Sequence, residues 1–253
     1  MTVAEGTAEA TRPAVVPALV LGTMTFADTV DEQGARRMLD VALDAGITEI
    51  DTANAYAGGA TEELLRTLLD GRRDRVRLAS KAGMPHPDAG SAGPLSSSAL
   101  RASVEGSLRR LGTDRLDLFY LHQPDRRTPL GETLGAIAEL VSEGKILSLG
   151  VSNFAAWQIA DVEREAAVAG APTPVVAQQL YNLVARRIEE EYLEFASTHR
   201  IDTMVYNPLG EDSSPVGTAS RRRRPTGASA THDWQRCIRS GTGTSSCSTR
   251  STG

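Results

Sequence analysis

Cysteine is scarce in this chain of 253 residues. The only two cysteines, Cys237 and Cys247, both come after residue 210. The long segment before them therefore has no thiol for a disulfide framework, and we expect a reducing, cytoplasmic location. Cysteine and histidine spacings typical of a metal site are missing as well, so we expect no bound metal.

Long apolar runs and an excess of positive charge are also missing. No stretch approaches the roughly 20 apolar residues of a membrane span. The first twenty residues carry acidic side chains and prolines and lack the basic start and apolar core of a secretory signal. A net charge of −5, with no basic face before residue 211, disfavours nucleic acids and anionic membranes as partners. A small soluble ligand is the expectation.

The sequence does contain a repeated pattern of an apolar strand followed by a helix. The pattern recurs at intervals of roughly thirty residues, the size of a β/α unit. We count seven strands and six helices before residue 211. The predicted helices end at glycines, which favour a helix terminus: Gly46, Gly71, Gly112, Gly144 and Gly170. Strict alternation with short connections predicts an α/β protein with an all-parallel sheet.

Two architectures fit that alternation, a (β/α)8 TIM barrel and an open doubly wound sheet. The turn after the first strand reads GTMTF and lacks the glycine fingerprint with which a Rossmann domain binds pyrophosphate. We therefore predict an incomplete (β/α)8 barrel with seven recognisable strands over residues 17–210. A flexible N-terminus (1–16) precedes it, and a disordered, low-complexity C-terminal tail (211–253) follows.

Polar side chains stand at the carboxyl ends of the predicted strands. Asp51 and Tyr56 follow the second strand, Lys81 ends the third and His122 ends the fourth. In a barrel these ends face one opening. A phenol, with an ordinary pKa near 10, needs help to exchange protons at neutral pH. Lys81 is expected to lower the pKa of Tyr56, and Asp51 to keep Lys81 charged.

This cluster predicts a reaction at a carbonyl group. His122 is placed to hydrogen-bond a substrate carbonyl, and Tyr56 to donate a proton to its oxygen as a hydride arrives at carbon. Taken singly, Lys81 is more typical of a solvated loop cation and His122 of a satisfied strand-end histidine than of a catalytic group. Their joint placement on successive strands favours chemistry, because strand ends in a barrel need no charge for stability.

Several segments of the chain resemble the aldo-keto reductase family. The matching motifs run from about Leu19 to Gly210: GTMTF, TEIDTANAY, ASKAG, DLFYLHQPD, LGVSNFAAWQIADV, QQLYN and MVYNPLG. Some of them are most similar to the branch of aflatoxin-aldehyde and succinic-semialdehyde reductases. The resemblance implies that Tyr56 is the general acid of a catalytic tetrad completed by Asp51, Lys81 and His122.

The resemblance also implies a nicotinamide cofactor, mostly NADP(H), with NAD(H) not excluded, bound across the barrel without a Rossmann motif. Carried over by position, Ser152, Asn153 and Gln178 would hold the carboxamide and Tyr206 would stack on the ring. Residues expected under the cofactor or at the start of its pyrophosphate loop are Gly22, Thr23, Met24, Asp51, Asn207 and Leu209. The basic residues that bind the 2′-phosphate are expected beyond Gly210.

The family pattern breaks after Gly210. The following segment has almost no Val, Leu or Phe, contains four consecutive arginines (Arg221 to Arg224) and ends rich in Ser, Thr and Gly, which is typical of disorder. Relatives continue with a Gly-Gly-Leu-Leu-Thr-Gly type of loop. Back-translating residues 210–216 with GC-rich codons and reading the neighbouring frame gives that peptide. A truncation or one-base shift is therefore a hypothesis that the coding DNA tests.

Three functions stay open at this point. The first is an NADP(H)-dependent reductase of aldehydes or ketones, with a small carbonyl substrate and a possible homodimer, as is frequent in that branch. The second is a non-catalytic barrel that binds cofactor for a partner. The third is an inactive, truncated remnant. The joint presence of Tyr56 and Lys81 favours the reductase, because a pure binder needs no such pair.

Overall fold

A computed structural model describes residues 19–210 of the chain. The predicted N-terminal segment and the predicted tail after residue 210 lie outside these residues. The elements alternate as expected, in the order β1 (Leu21–Gly22), α1 (Glu32–Asp44), β2 (Glu49–Asp51), α2 (Ala60–Leu68), β3 (Arg77–Ala82), α3 (Ser97–Leu111), β4 (Leu118–Leu121), α4 (Leu130–Ser142), β5 (Leu149–Ser152), α5 (Ala156–Ala169), β6 (Val176–Leu180), α6 (Tyr192–His199) and β7 (Asp202–Tyr206).

The seven strands form one parallel sheet in which each strand pairs with its neighbours in sequence, from β1 to β7. An open doubly wound sheet reverses its strand order at a switch point, and this sheet does not. The sheet curls, as a barrel wall does, with the helices on one side. The barrel prediction is therefore confirmed for the described part of the chain. None of the helices described there is long and apolar enough to cross a membrane.

Local sequence signals account for the helix ends. Asp31 caps α1 by accepting a hydrogen bond from the backbone N–H of Gly34 at 2.7 Å. Gly112 and Gly170 end α3 and α5 with φ angles of 64° and 69°, in the left-handed region that favours glycine. A short 3₁₀ turn over Arg187–Glu189 precedes α6.

The two faces of the sheet have different roles. Alternation along the strands places Ile50, Leu78, Phe119 and Val151 on the outer face, where they join the apolar core shared with the helices. The opposite face, which we call the inner face, carries a smaller apolar cluster around Tyr120. The same alternation places one polar residue of the inner face near the carboxyl end of each strand from β2 to β7: Asp51, Lys81, His122 just after β4, Ser152, Gln178 and Tyr206.

Candidate active site

Lys81 is the centre of the polar cluster on the inner face. Its side chain is completely buried, and its Nζ donates hydrogen bonds to Asp51 Oδ2 at 2.6 Å, to the carbonyl oxygen of Thr52 at 2.9 Å and to the hydroxyl of Tyr56 at 3.1 Å. An ammonium group has three N–H donors, so all of them are used within the protein.

Tyr56 reaches Lys81 from a sharply bent segment. It begins a 3₁₀ turn, Tyr56–Gly59, in which Ala57, Gly58 and Gly59 have φ angles of 46°, 64° and 101°. The left-handed backbone turns the chain directly from the end of β2 into α2. The first turn of α2 is fastened to the loop after β1, because Thr61 Oγ1 donates to the carbonyl oxygen of Phe26 at 2.8 Å.

His122 lies across the site from Tyr56. The two rings meet edge to face, with centroids 6.0 Å apart and an interplanar angle of 82°. The backbone fixes the histidine on both sides, since its N–H donates to the carbonyl oxygen of Ala82 at 2.8 Å and its own carbonyl oxygen accepts from Asn153 Nδ2 at 3.0 Å. Nδ1 of the ring is buried without a hydrogen-bond partner in the described structure.

The environment changes the pKa values of these groups, and one sequence-based expectation is wrong. Burial raises the pKa of Tyr56 above its ordinary 10.0, and this effect outweighs the charge of Lys81, which lowers it. The net shift is therefore upward, opposite to our prediction. Burial lowers the pKa of Lys81, but the interactions with Asp51 and Tyr56 together more than compensate, so that pKa is raised. At neutral pH the phenol is protonated and the amine charged.

His122 is uncharged over the physiological range. Burial, together with the positive charge of Lys81, lowers its pKa from 6.5 to about 3. A neutral imidazole donates a hydrogen bond from only one of its two nitrogens. The arrangement therefore presents two neutral groups, the phenol of Tyr56 and the imidazole of His122, beside a buried ammonium.

The residues expected at a nicotinamide lie on the next strand ends and contact one another. Asn153, with a φ angle of 62°, donates from Nδ2 to Ser152 Oγ at 3.1 Å and accepts at Oδ1 from the Tyr206 hydroxyl at 2.7 Å. Gln178 pairs with Ser152 in the register of β5 and β6, and its Nε2 donates to Met204 Sδ at 2.8 Å. This set of amides, a hydroxyl and an aromatic ring fits a flat carboxamide-bearing ring.

The remaining predicted cofactor residues flank this group. Thr23 is buried and donates from Oγ1 to the carbonyl oxygen of Asp51 at 3.0 Å, which ties the end of β1 to β2. Gly22 and Met24 are exposed on either side of it. On the far side, Asn207 has a φ angle of 52° and Leu209 is largely exposed near the end of the described residues.

Sequence reasoning missed a group of charged residues on the outer face. Glu62 in α2, which is fully buried, pairs with the partly buried Arg110 of α3 at 2.8 Å, close to the turn that carries Tyr56. A signal for it exists in the sequence. Glu62 shares a helix face with the core residue Leu65, three positions later, so a charge falls where the helical period places an apolar residue.

Comparison with known proteins identifies the family. The sequence profile of the Aldo/keto reductase family matches residues 18–237, most of the chain. The protein belongs to the aldo/keto reductase family. That assignment agrees with the resemblance found in the motifs and with the barrel-type sheet. Members of this family use nicotinamide cofactors, in agreement with the groups gathered at the ends of β5 to β7.

Individual relatives match about three quarters of the chain. Aflatoxin B1 aldehyde reductase member 2 of Rattus norvegicus is 37% identical over 196 residues, 76% of this chain and 52% of that protein. Aldo-keto reductase family 7 member A3 of Homo sapiens is 38% identical over 196 residues, covering 76% of this chain and 58% of the relative. Aldo-keto reductase YhdN of Bacillus subtilis (strain 168) is 37% identical over 195 residues, covering 75% and 57%. The chain spans little more than half the length of these aldo/keto reductases.

Proposed function

We propose that this aldo/keto reductase reduces aldehydes or ketones to alcohols with NADP(H), and that Tyr56 is the general acid. The observation that carries the proposal is the buried ammonium of Lys81, which bonds Asp51 on one side and the Tyr56 hydroxyl on the other. A phenol held this way is a proton donor whose conjugate base has a cation beside it.

The residues divide the work at a carbonyl group. The substrate oxygen accepts hydrogen bonds from the hydroxyl of Tyr56 and from the neutral imidazole of His122, and both donors polarise the C=O bond. The nicotinamide, when bound, supplies the hydride for the carbonyl carbon. Tyr56 then gives its proton to the oxygen, and Lys81 stabilises the phenolate that is left. Asp51 keeps the Lys81 ammonium charged throughout.

The cofactor is assigned to the strand ends that follow His122. Ser152, Asn153 and Gln178 would bind the carboxamide, and Tyr206 would pack on the ring, with Gly22, Thr23 and Met24 on the opposite wall. Asn207 and Leu209 would begin the loop toward the pyrophosphate. NADP(H) in preference to NAD(H) and a homodimer complete the proposal and rest on family resemblance. A cytoplasmic location is proposed from the scarcity of cysteine.

The test is titration of the purified full chain with NADPH, followed by fluorescence, and then addition of a small aldehyde. Saturable binding with oxidation of NADPH on adding the aldehyde is expected, and NADH is tested in parallel. Binding without oxidation would support the non-catalytic binding barrel instead. A folded chain that binds neither nucleotide would overturn the proposal.

A further inference from the structure

An ion pair between a buried carboxylate and a partly buried arginine lies on the outer face, directly behind the reactive cluster. Glu62, in the first turn of α2, has no exposed surface. Its Oε1 accepts a hydrogen bond from Ser80 Oγ at 2.6 Å, and its Oε2 accepts one from Arg110 Nε at 2.8 Å. Arg110 continues to Asp88 through Nη2 at 2.9 Å. Both carboxylate oxygens of Glu62 are therefore engaged.

This network joins the two segments that carry the reacting groups. Ser80 directly precedes Lys81 in β3, and successive strand residues point to opposite faces. The Ser80 side chain thus leaves the strand toward α2 while the Lys81 side chain leaves it toward the site. Helix α2 starts immediately after the Tyr56–Gly59 turn. Glu62 consequently fastens the Tyr56 segment to the Lys81 strand.

Two glycines leave room for this arrangement. A Cβ on Gly59 would lie 2.9 Å from Cδ of Arg110, so the arginine packs directly against the turn that carries Tyr56. A Cβ on Gly106 would lie 2.2 Å from Oδ2 of Asp88, which would displace the carboxylate from Arg110. Arg110 therefore packs against the Tyr56–Gly59 turn, and Asp88 holds its guanidinium group in place.

Stability alone is a weak account of such a pair. Burying two charges costs much of what their attraction returns, and well-packed apolar residues often replace such a pair with no loss of stability. Apolar residues cannot reproduce the directed hydrogen bond that joins α2 to β3. We propose that Glu62 and Arg110 are positioning residues that hold the Tyr56 hydroxyl against Lys81 in the reactive geometry. The catalytic consequence rests on the proposed reductase function.

The structural readout is the ionisation of Tyr56, measured by carbon-13 NMR of the full chain labelled at the tyrosine ζ-carbon. The chain has five tyrosines, and the resonance lost in Tyr56→Phe identifies the relevant one. In Arg110→Met and in Ser80→Ala, a loosened turn changes both the burial of the Tyr56 hydroxyl and its contact with Lys81, so the pKa of Tyr56 moves away from its value in the parent chain. Ser80→Ala removes one hydrogen bond and keeps the ion pair, so it decides the case if Arg110→Met does not fold.

Arg73→Met is the matched control. Arg73 is as buried as Arg110, with side-chain exposures of 18% and 16%, and it pairs with Asp117 at 2.8 Å near the opposite end of β3. This variant should lose stability without moving the pKa of Tyr56. If it shifts that pKa as much as Arg110→Met does, the effect is general loosening and the proposal is wrong.

The kinetic readout is NADPH-dependent aldehyde reduction. We expect kcat to fall about 10- to 100-fold in Arg110→Met, as for a small misplacement of a reacting group, with KM for the cofactor changed less than about twofold. Folded Arg110→Met and Ser80→Ala with the parent pKa and kcat would overturn the proposal. A parent chain that never oxidises NADPH would refute the reductase function, and the NMR titration would still decide the positioning role.

Discussion

Lys81 and Tyr56 are 25 positions apart in sequence, yet a hydrogen bond of 3.1 Å joins their Nζ and hydroxyl groups. The lysine comes from the third strand, and the tyrosine comes from the turn after the second. Neighbouring parallel strands end at the same edge of a sheet, so the two meet there. The contact places a buried positive charge next to a group that is proposed to release a proton.

Replacing Tyr56 with Phe should abolish reduction and spare cofactor binding. Loss of a general acid typically lowers kcat by about 10² to 10⁴. The measurement is NADPH oxidation with a small aldehyde, beside an NADPH binding titration. Tyr192→Phe is the control, because Tyr192 is also buried but its hydroxyl pairs with Thr203, away from the site. Full activity in Tyr56→Phe would contradict the assigned role.

The pH profile should report the raised pKa of Tyr56. Only the protonated phenol donates, so kcat/KM for aldehyde reduction stays level from about pH 6 to about pH 9 and falls above about pH 10. Oxidation of the alcohol needs the phenolate and therefore rises by about tenfold per pH unit over the same neutral range. If kcat/KM for reduction already falls near neutral pH, the charge of Lys81, and not burial, determines the pKa of Tyr56.

Removing Lys81 should destabilise the fold as well as the reaction. Lys81→Met leaves the Asp51 carboxylate in a buried place without its cation, which typically costs about 3 to 5 kcal/mol. The double variant Lys81→Met with Asp51→Asn should regain most of that stability while reduction stays lost. Urea unfolding of the single and double variants measures the difference. Equal stabilities would show that the pair is solvated and does not act as a buried unit.

Acid should destabilise the protein through His122. The folded state holds this pKa near 3, whereas the unfolded ordinary value is 6.5, so below pH 6.5 the unfolded chain binds a proton that the folded chain does not. The contribution of His122 to the free energy of unfolding is fully present above pH 6.5. Below that pH the free energy of unfolding falls by about 1.4 kcal/mol per pH unit. In His122→Asn this contribution disappears. Between about pH 7 and about pH 4.5, the parent should lose about 2.5 kcal/mol more than the variant in urea unfolding.

Gly150→Ala should test the packing below Lys81. A Cβ on Gly150 would lie 2.6 Å from the ring of Tyr120, and that ring lies 5.6 Å from Lys81 Nζ. We expect a loss of about 1 to 3 kcal/mol from overpacking, partly restored by adding Tyr120→Leu. Gly135→Ala in α4 is the control, since its added Cβ meets no atom within 4 Å. Thermal unfolding measures the stability of both variants, and Gly135→Ala should be as stable as the parent or more stable.

Much of the described fold follows from local signals in the sequence. Gly112 and Gly170 end helices because a residue with a left-handed backbone closes each of them. Two neighbouring strands can be parallel only if a crossover such as a helix connects them, and this chain has a helix between each pair of successive strands. Parallel pairing then brings Asp51 and Lys81 together, at 2.6 Å, although 30 residues separate them in the chain. These relationships depend on the order of the strands and helices and on the spacing of the apolar residues, and both can be read from a sequence.

Other features depend on sums over the whole structure. The pKa of Tyr56 is set by a balance between burial and the charge of Lys81, and only the folded geometry gives the sign. Glu62 and Arg110 are 48 positions apart in the sequence, and they pair only because α2 and α3 pack side by side. The sequence-based expectation that Asp51, Tyr56 and Lys81 lie together agrees with their hydrogen bonds, whereas the expected net direction of the Tyr56 pKa is wrong.

The three hydrogen bonds of Lys81 have a further chemical consequence. Amines condense with aldehydes through the nitrogen lone pair, and a lysine beside an aldehyde is otherwise a candidate for imine formation. Here the lone pair is protonated, the pKa is raised, and each N–H is directed at an oxygen of the protein. The geometry that keeps this lysine cationic therefore also protects it from forming an imine with an aldehyde that reaches the site.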